Sequence, residues 1–355
     1  MNAHGPLPRE DLEHVEREAA ALWPGLEGAR IFITGATGFF GRWLLESLAL
    51  ANERRRLGVR VVALSRDPEG FLRAAPHLAG PGLRWVRGSV ATLEPGDLAG
   101  EAFDMVIHLA TEADMRASAA DPRAAASVIT GGTRRTLDAA SRAGAKQFLF
   151  ASSGAVYGER SRHMERIPEG SAFGADPLDP ASPYGVPGEA KRQAELLCLG
   201  RVQTEGLGAV IARGFAFAGP GLPLRGKFAF GNFLGDALAG GPIVITGDGT
   251  PVRSYMYAAD LAVWLWTLLL RGAPGRAYNV GSEDALGMRQ LAEAVSSELG
   301  PFGVDVRQEP KPGAAADRYV PSTERARLEL GLREHFSLSE SIRRTAAWHR
   351  AEVKH

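Results

Sequence analysis

The sequence predicts an α/β protein, a doubly wound parallel sheet with a smaller C-terminal lobe. Two observations carry this expectation. Short apolar runs alternate with stretches of helical periodicity from residue 29 to residue 213, and parallel strands need crossovers of that kind to bring the chain back to the same edge. The first apolar run also enters a glycine triplet, Gly35, Gly38 and Gly41, directly before a helical stretch, which is the layout of a phosphate-binding turn.

Residues 29–34 read as the first strand and 40–50 as the first helix of this alternation. Further strands are expected over 59–64, 83–87, 103–109, 147–151 and 209–212, with long helices over 122–143 and 189–205. Upstream, residues 1–28 carry an amphipathic stretch at 9–23 and read as a helical extension packed on the main domain. Downstream, residues 214–355 are broken by Gly219-Pro220, Gly240-Gly241-Pro242 and Gly247-Asp248-Gly249, and read mainly as a smaller lobe. Amphipathic helices close this lobe near 287–299 and 337–354, and 255–275 is expected to pack back on the first domain.

Composition excludes several classes of function. The 355 residues hold 41 basic and 41 acidic side chains, so no general attraction to nucleic acid is expected. The basic run Arg54-Arg55-Arg56 follows Glu53 and reads as a solvated helix end. The single cysteine, Cys198, cannot form an internal disulfide, which fits a reducing, cytoplasmic setting. The most apolar run, 261–270, lies between Asp260 and Arg271 and is too short to span a bilayer, which needs about 20 residues. No histidine shows metal-ligand spacing, and no metal is expected.

In the loop Gly35-Ala-Thr37-Gly38-Phe39-Phe40-Gly41, the first glycine permits a tight turn, the second admits a diphosphate and the third lets helix pack near strand. Placed between a strand and a helix at the start of the sheet, it predicts dinucleotide binding. Further motifs follow in order: Ile107-His108-Leu109-Ala110, Ser152-Ser153-Gly154-Ala155-Val156-Tyr157-Gly158, Ser182-Pro183-Tyr184, the segment from Gly247 to Arg253, Tyr257 to Asp260, and Tyr278 to Gly281. With these motifs the chain resembles the extended short-chain dehydrogenase/reductase superfamily, in particular its NAD-dependent epimerase/dehydratase branch acting on nucleotide sugars. The resemblance spans about residues 29–300 and implies a Rossmann domain over 29–213, a loop contact to the cofactor from Leu109 and Ala110, and a homodimer formed through the helices at 122–143 and 189–205.

The second strand ends in Ser65-Arg66 rather than in an acidic residue. An acid there would bond a ribose and repel a 2′-phosphate, so Arg66 tilts the expected cofactor toward NADP over NAD. The resemblance implies a catalytic set of Ser153, which orients a substrate oxygen, and Tyr184, which exchanges a proton with it. A tyrosine titrates near ~10, and a neighbouring ammonium favours its phenolate. The family's lysine follows the tyrosine by four residues, and that position is Gly188. We read Val186-Pro187-Gly188 as an insertion and Lys191 as the displaced lysine, brought down beside Tyr184 by a bulge at Pro187 and Gly188.

The dehydratases and decarboxylases of this branch carry acids just before Val-Tyr-Gly, where this chain has Gly154-Ala155. The expected reaction is therefore a 4-epimerisation or 4-keto reduction by hydride transfer. The alternatives are a dehydratase or decarboxylase using another carboxylate such as Glu112, a non-sugar carbonyl reductase, and a dinucleotide-binding protein with little catalysis. By resemblance Arg253 holds a diphosphate, a role suited to a forked guanidinium. Asn232 either contacts substrate or caps a helix.

Overall fold

The computed structural model describes residues 5–98, 100–111, 122–158, 164–171, 185–226, 228–313 and 316–352. The chain divides into two compact units, one comprising Met1–Glu159, Ser171–Gly214 and Ala262–Tyr278, the other Arg160–Gly170, Phe215–Leu261 and Asn279–His355.

The first unit begins with α1 (Arg9–Glu18) and continues through β1 (Arg30–Thr34), α2 (Phe39–Arg55), β2 (Arg60–Ser65), α3 (Pro68–Ala74), β3 (Leu83–Arg87) and β4 (Met105–His108). A helical segment follows as α4 (Pro122–Ala126), a π-helical turn (Ser127–Gly131) and α5 (Gly132–Arg142). Next come β5 (Gln147–Ser153), α6 (Gly185–Glu205) and β6 (Gly208–Gly214). The central sheet has the order β11-β6-β5-β4-β1-β2-β3, where β11 is Ala277–Val280. Pairings β1 with β2, β1 with β4, β2 with β3, β4 with β5 and β5 with β6 are all parallel. The strand order reverses between β1 and β4, the crevice where doubly wound sheets bind their ligands.

Both faces of the sheet are covered, so its strands read as near-continuous apolar runs rather than alternating ones. Ile31, Phe32 and Ile33 of β1 and Phe148, Leu149 and Phe150 of β5 are all buried. The N-terminal segment is tied to this unit by Trp23, fully buried, whose ring meets the edge of Trp266 at 5.7 Å. Trp266 in turn donates to Ser47 Oγ at 3.1 Å. Glu46, buried in α2, accepts from the Leu7 amide at 2.7 Å and pairs with Arg42 at 2.8 Å.

The second unit contains β7 (Phe217–Ala218), α7 (Ala229–Leu238), β8 (Ile243–Ile245), β9 (Val252–Arg253), β10 (Met256–Tyr257) and the start of α8 (Ala258–Arg271). It continues with β12 (Leu286–Gly287), α9 (Met288–Leu299), β13 (Val304–Val306), β14 (Arg318–Tyr319), α10 (Glu324–Leu330) and α11 (Leu338–Glu352). Its strands pair in small sets, β10 with β7, β13 with β8, and β9 between β12 and β14. The apolar run at 261–270 lies within α8, and among the described residues no helix is long and apolar enough to cross a membrane.

Candidate active site

The loop between β1 and α2 is built backbone against backbone. Gly35 has φ +71°, and a Cβ there would lie 2.6 Å from the Ala110 nitrogen and 2.7 Å from the Leu109 carbonyl carbon. A Cβ at Gly41 would lie 2.5 Å from Ala36 Cα and from the Gly35 oxygen. Only glycine fits either position, and the result brings the start of α2 tight against the end of β4. Gly38 is the N-cap of α2 and has no side chain to occupy the first-turn N–H groups, while Thr37 beside it is exposed. Phe39 and Phe40 flank this turn with ring centroids 6.1 Å apart. The loop thus leaves the first-turn N–H groups of α2 without a side-chain cap at a helix N-terminus, a polarity that fits a diphosphate.

His108, at the end of β4, is fully buried and bridges the sheet to α5. Thr133 Oγ donates to the Ile129 carbonyl at 2.6 Å, so it accepts from His108 Nε2 at 3.0 Å. His108 Nδ1 then accepts from Thr34 Oγ at 2.6 Å, and Thr34 Oγ accepts from the Ala110 amide at 3.3 Å. This chain fixes the tautomer with its proton on Nε2. Burial, with the Lys191 charge as a second cause, pushes the imidazole down to about 3, so it is neutral and braces the loop.

β5 ends in the two serines. Side chains alternate along a strand, and they take different partners: Ser152 Oγ donates to Glu195 Oε1 at 2.6 Å, whereas Ser153 Oγ accepts from the Ala155 amide at 3.1 Å. Glu195 also receives both prongs of Arg213, at 2.9 and 2.6 Å, and Arg213 donates to the buried Tyr157 hydroxyl at 3.0 Å. Burial works against the Arg213 charge, but Glu195 more than compensates and holds the guanidinium protonated. This network knits β5, α6 and β6 together behind the serines.

Lys191 lies on α6, one turn before Glu195, and is 5% exposed. Its Nζ donates to the Ala151 carbonyl at 2.5 Å and sits 4.7 Å from the centroid of Phe150. Burial lowers it to about 8, against an upward pull from Glu195 and Cys198. Tyr184 and Glu112 lie outside the described residues. The bulge expected at Pro187 and Gly188 is absent: α6 runs unbroken from Gly185, and proline is tolerated in a first helical turn, where its missing N–H has no partner to lose. Gly188 approaches the turn after β5 so closely that a Cβ there would be 2.5 Å from the Ala155 oxygen.

At the carboxyl end of β2, Arg66 is exposed, and among the described residues its guanidinium has no partner. In the second unit, Arg253 donates to the Val252 and Asp317 carbonyls, each at 2.8 Å, and to the Asp317 carboxylate at 2.6 Å. Asn232 sits inside α7, whose N-cap is Phe228, so it is not the cap; its Nδ2 donates to the Gly226 carbonyl at 2.9 Å. Sequence reasoning missed Glu195, Arg213 and Asp317. The Lys191 to Glu195 spacing, one helical turn, was the visible trace of the first.

A family model for the NAD dependent epimerase/dehydratase family matches residues 31–281. The chain is an enzyme of that family. It is 29% identical over 329 residues to a dTDP-glucose 4,6-dehydratase of Streptomyces antibioticus, covering 90% of this chain and 92% of the relative. It is 26% identical over 361 residues to UDP-glucuronic acid decarboxylase 1 of Xenopus tropicalis, covering 98% and 80%. Among solved structures it is similar to the dTDP-glucose 4,6-dehydratase of Streptomyces venezuelae with NAD bound, at a TM-score of 0.76 and 26% identity, covering 91% of this chain and 97% of that one.

Proposed function

We propose that the protein carries out NADP- or NAD-dependent hydride transfer at C4 of a nucleotide-activated sugar, as a 4-epimerase or 4-keto reductase. The turn after β5 carries this reading. Its leading positions are Gly154 and Ala155, which offer no acid, and Glu195 behind it is committed to Ser152 and Arg213. Elimination or decarboxylation needs proton transfer beyond the hydride step, and this turn supplies no carboxylate: its side-chain hydroxyls are those of Ser153 and of the buried Tyr157, which accepts from Arg213.

Gly35, Thr37, Gly38, Phe39, Phe40 and Gly41 would hold the dinucleotide diphosphate, with Leu109 and Ala110 as further cofactor contacts; the uncapped start of α2 at Gly38 and the packing of Gly35 against Leu109 and Ala110 support this. A bound nicotinamide would supply the hydride chemistry, as acceptor and donor in an epimerase or as donor alone in a reductase. Ser153 holds the C4 oxygen, Tyr184 exchanges its proton, and Lys191 supplies the positive charge that favours the phenolate. Arg66, a cation without a partner among the described residues, selects a 2′-phosphate and so NADP. Arg253 and Asn232 hold the nucleotide sugar. We further propose a cytoplasmic homodimer that pairs the surface of α6, where Leu196 is 66% exposed.

Dehydration is the second reading, favoured by the name of the Streptomyces relative. Incubation in deuterated water with UDP-, dTDP-, CDP- and GDP-sugars separates the two. Hydride-only chemistry yields a C4 epimer or alcohol with no deuterium at C5. Deuterium at C5 of a 6-deoxy-4-keto product, or release of carbon dioxide from a uronic acid, overturns the proposal.

A further inference from the structure

A second arginine stands beside Arg66. Arg87 ends β3, and in the sheet register it is the partner of Ser65, at the carboxyl end of β2. The two strand ends are also joined by the Gly88 amide, which donates to the Ser65 carbonyl at 2.9 Å. Unlike Arg66, Arg87 is fully engaged. It donates to the Arg66 carbonyl at 3.1 Å, pairs with the Glu69 carboxylate, and lies 3.6 Å from Asp67. Asp67 is in turn the N-cap of α3, accepting from the Gly70 amide at 3.1 Å, with its own amide bonded to Ser65 Oγ at 3.2 Å. The loop that carries Arg66 is therefore stitched at both ends.

This arrangement resolves an electrostatic conflict. Asp67 and Glu69 follow Arg66 within three residues, and two carboxylates so placed oppose a dianionic 2′-phosphate. We propose that Arg87 is a positioning residue for cofactor selection. It neutralises and draws aside Asp67 and Glu69, pins the Arg66 backbone, and leaves the Arg66 guanidinium as the cation that meets the 2′-phosphate. Arg87 does not touch the phosphate itself. The inference rests on the reading that Arg66 favours NADP, and it adds that this preference is conditional on a second arginine on the neighbouring strand.

The three carboxylate and guanidinium side chains are 52 to 61% exposed, so solvent screening limits the effect. Removing Arg66 takes away a charge-assisted bond and should weaken NADPH binding about 30-fold. Removing Arg87 uncovers two carboxylates at a distance and should weaken it about 5- to 10-fold, with NADH binding changed less than twofold in both variants. The test is titration of the full-length protein with NADPH and with NADH, followed by nucleotide fluorescence, at low and at 0.5 M salt. The variants are Arg66→Ala, Arg87→Ala, and Arg87→Ala combined with Asp67→Asn and Glu69→Gln. Asp67→Asn keeps a helix cap.

Support is a loss of NADPH affinity in Arg87→Ala that shrinks in high salt and is restored in the triple variant. A loss that the triple variant leaves wholly unrestored means that shielding Asp67 and Glu69 is not what Arg87 does, and overturns the inference. An unchanged NADPH to NADH ratio in Arg87→Ala, with a fall in Arg66→Ala, overturns it while leaving the NADP reading intact. Tighter binding of NADH than NADPH by the unaltered protein overturns that reading itself.

Discussion

Replacing Lys191 by methionine gives the sharpest test of how the site is built. Lys191 is held at 5% exposure beneath β5, and burial lowers it from 10.5 to about 8. At pH 7 the ammonium is still mostly protonated in the folded chain, where its charge is disfavoured, and fully protonated in the unfolded chain, where it is not. Between about 8 and 10.5 the unfolded chain binds the extra proton, so stability rises with pH through that window. The difference corresponds to about 3 kcal/mol at pH 7, at ~1.4 kcal/mol per pH unit, and methionine fills similar volume without carrying a charge. The expectation is that the stability of Lys191→Met relative to the unaltered protein falls by about 2 to 3 kcal/mol between pH 7 and pH 10. Urea unfolding followed by tryptophan fluorescence at a series of pH values measures it. A difference that stays level across that range, or grows with pH, refutes the argument that the lysine is held at a cost. The same substitution should lower turnover on the sugar substrate by at least about 100-fold if Lys191 supplies the charge beside Tyr184.

Three further outcomes are expected. Gly188→Ala puts a methyl 2.5 Å from the Ala155 oxygen, so it should destabilise by about 1 to 3 kcal/mol through overpacking and depress turnover. Gly200→Ala on the same helix meets nothing within 4 Å and should stabilise by about 0.5 to 1 kcal/mol, with both read from urea midpoints. Asp317→Asn removes the carboxylate that competes for the Arg253 fork, so the apparent affinity for a nucleoside diphosphate should rise about threefold by calorimetry; a fall would mean that Asp317 aims Arg253 rather than competing for it.

The alternation of strands and helices was legible because a sheet covered on both faces leaves near-continuous apolar runs punctuated by glycine and proline, and β1 to β6 follow from it directly. The phosphate loop was legible for a related reason: a Cβ on Gly35 or Gly41 would lie within 2.7 Å of neighbouring backbone, so the sequence has no freedom there. Partners distant along the chain were not legible. Asp317 meets Arg253 across 64 residues, and Arg87 reaches Glu69 only because β2 and β3 lie side by side. Nothing local in the sequence distinguishes such a side chain from a solvated one. The expected bulge at Pro187 failed because the spacing argument treated the insertion as an interruption, whereas a first helical turn tolerates proline and continues.

That continuity changes what the displaced lysine means. With α6 unbroken, the helix backbone at Gly188 lies against the Ala155 oxygen, and no side chain of any kind fits between them. A lysine at 188 would have to push the helix off the turn that carries Ser153. Three residues, however, are close to one helical turn, so position 191 shares the face of position 188 and lies about 4.5 Å further along the axis. From there the four-carbon stem passes under β5, and its ammonium reaches the Ala151 carbonyl, two residues before Ser153. The positive charge thus approaches the end of β5 from the face of α6 that carries Gly188, with its anchor at position 191. The close approach of α6 at Gly188 and the burial of Lys191 both follow from how the first turns of this helix lie against β5 and the turn after it, and substitution at either position tests the other.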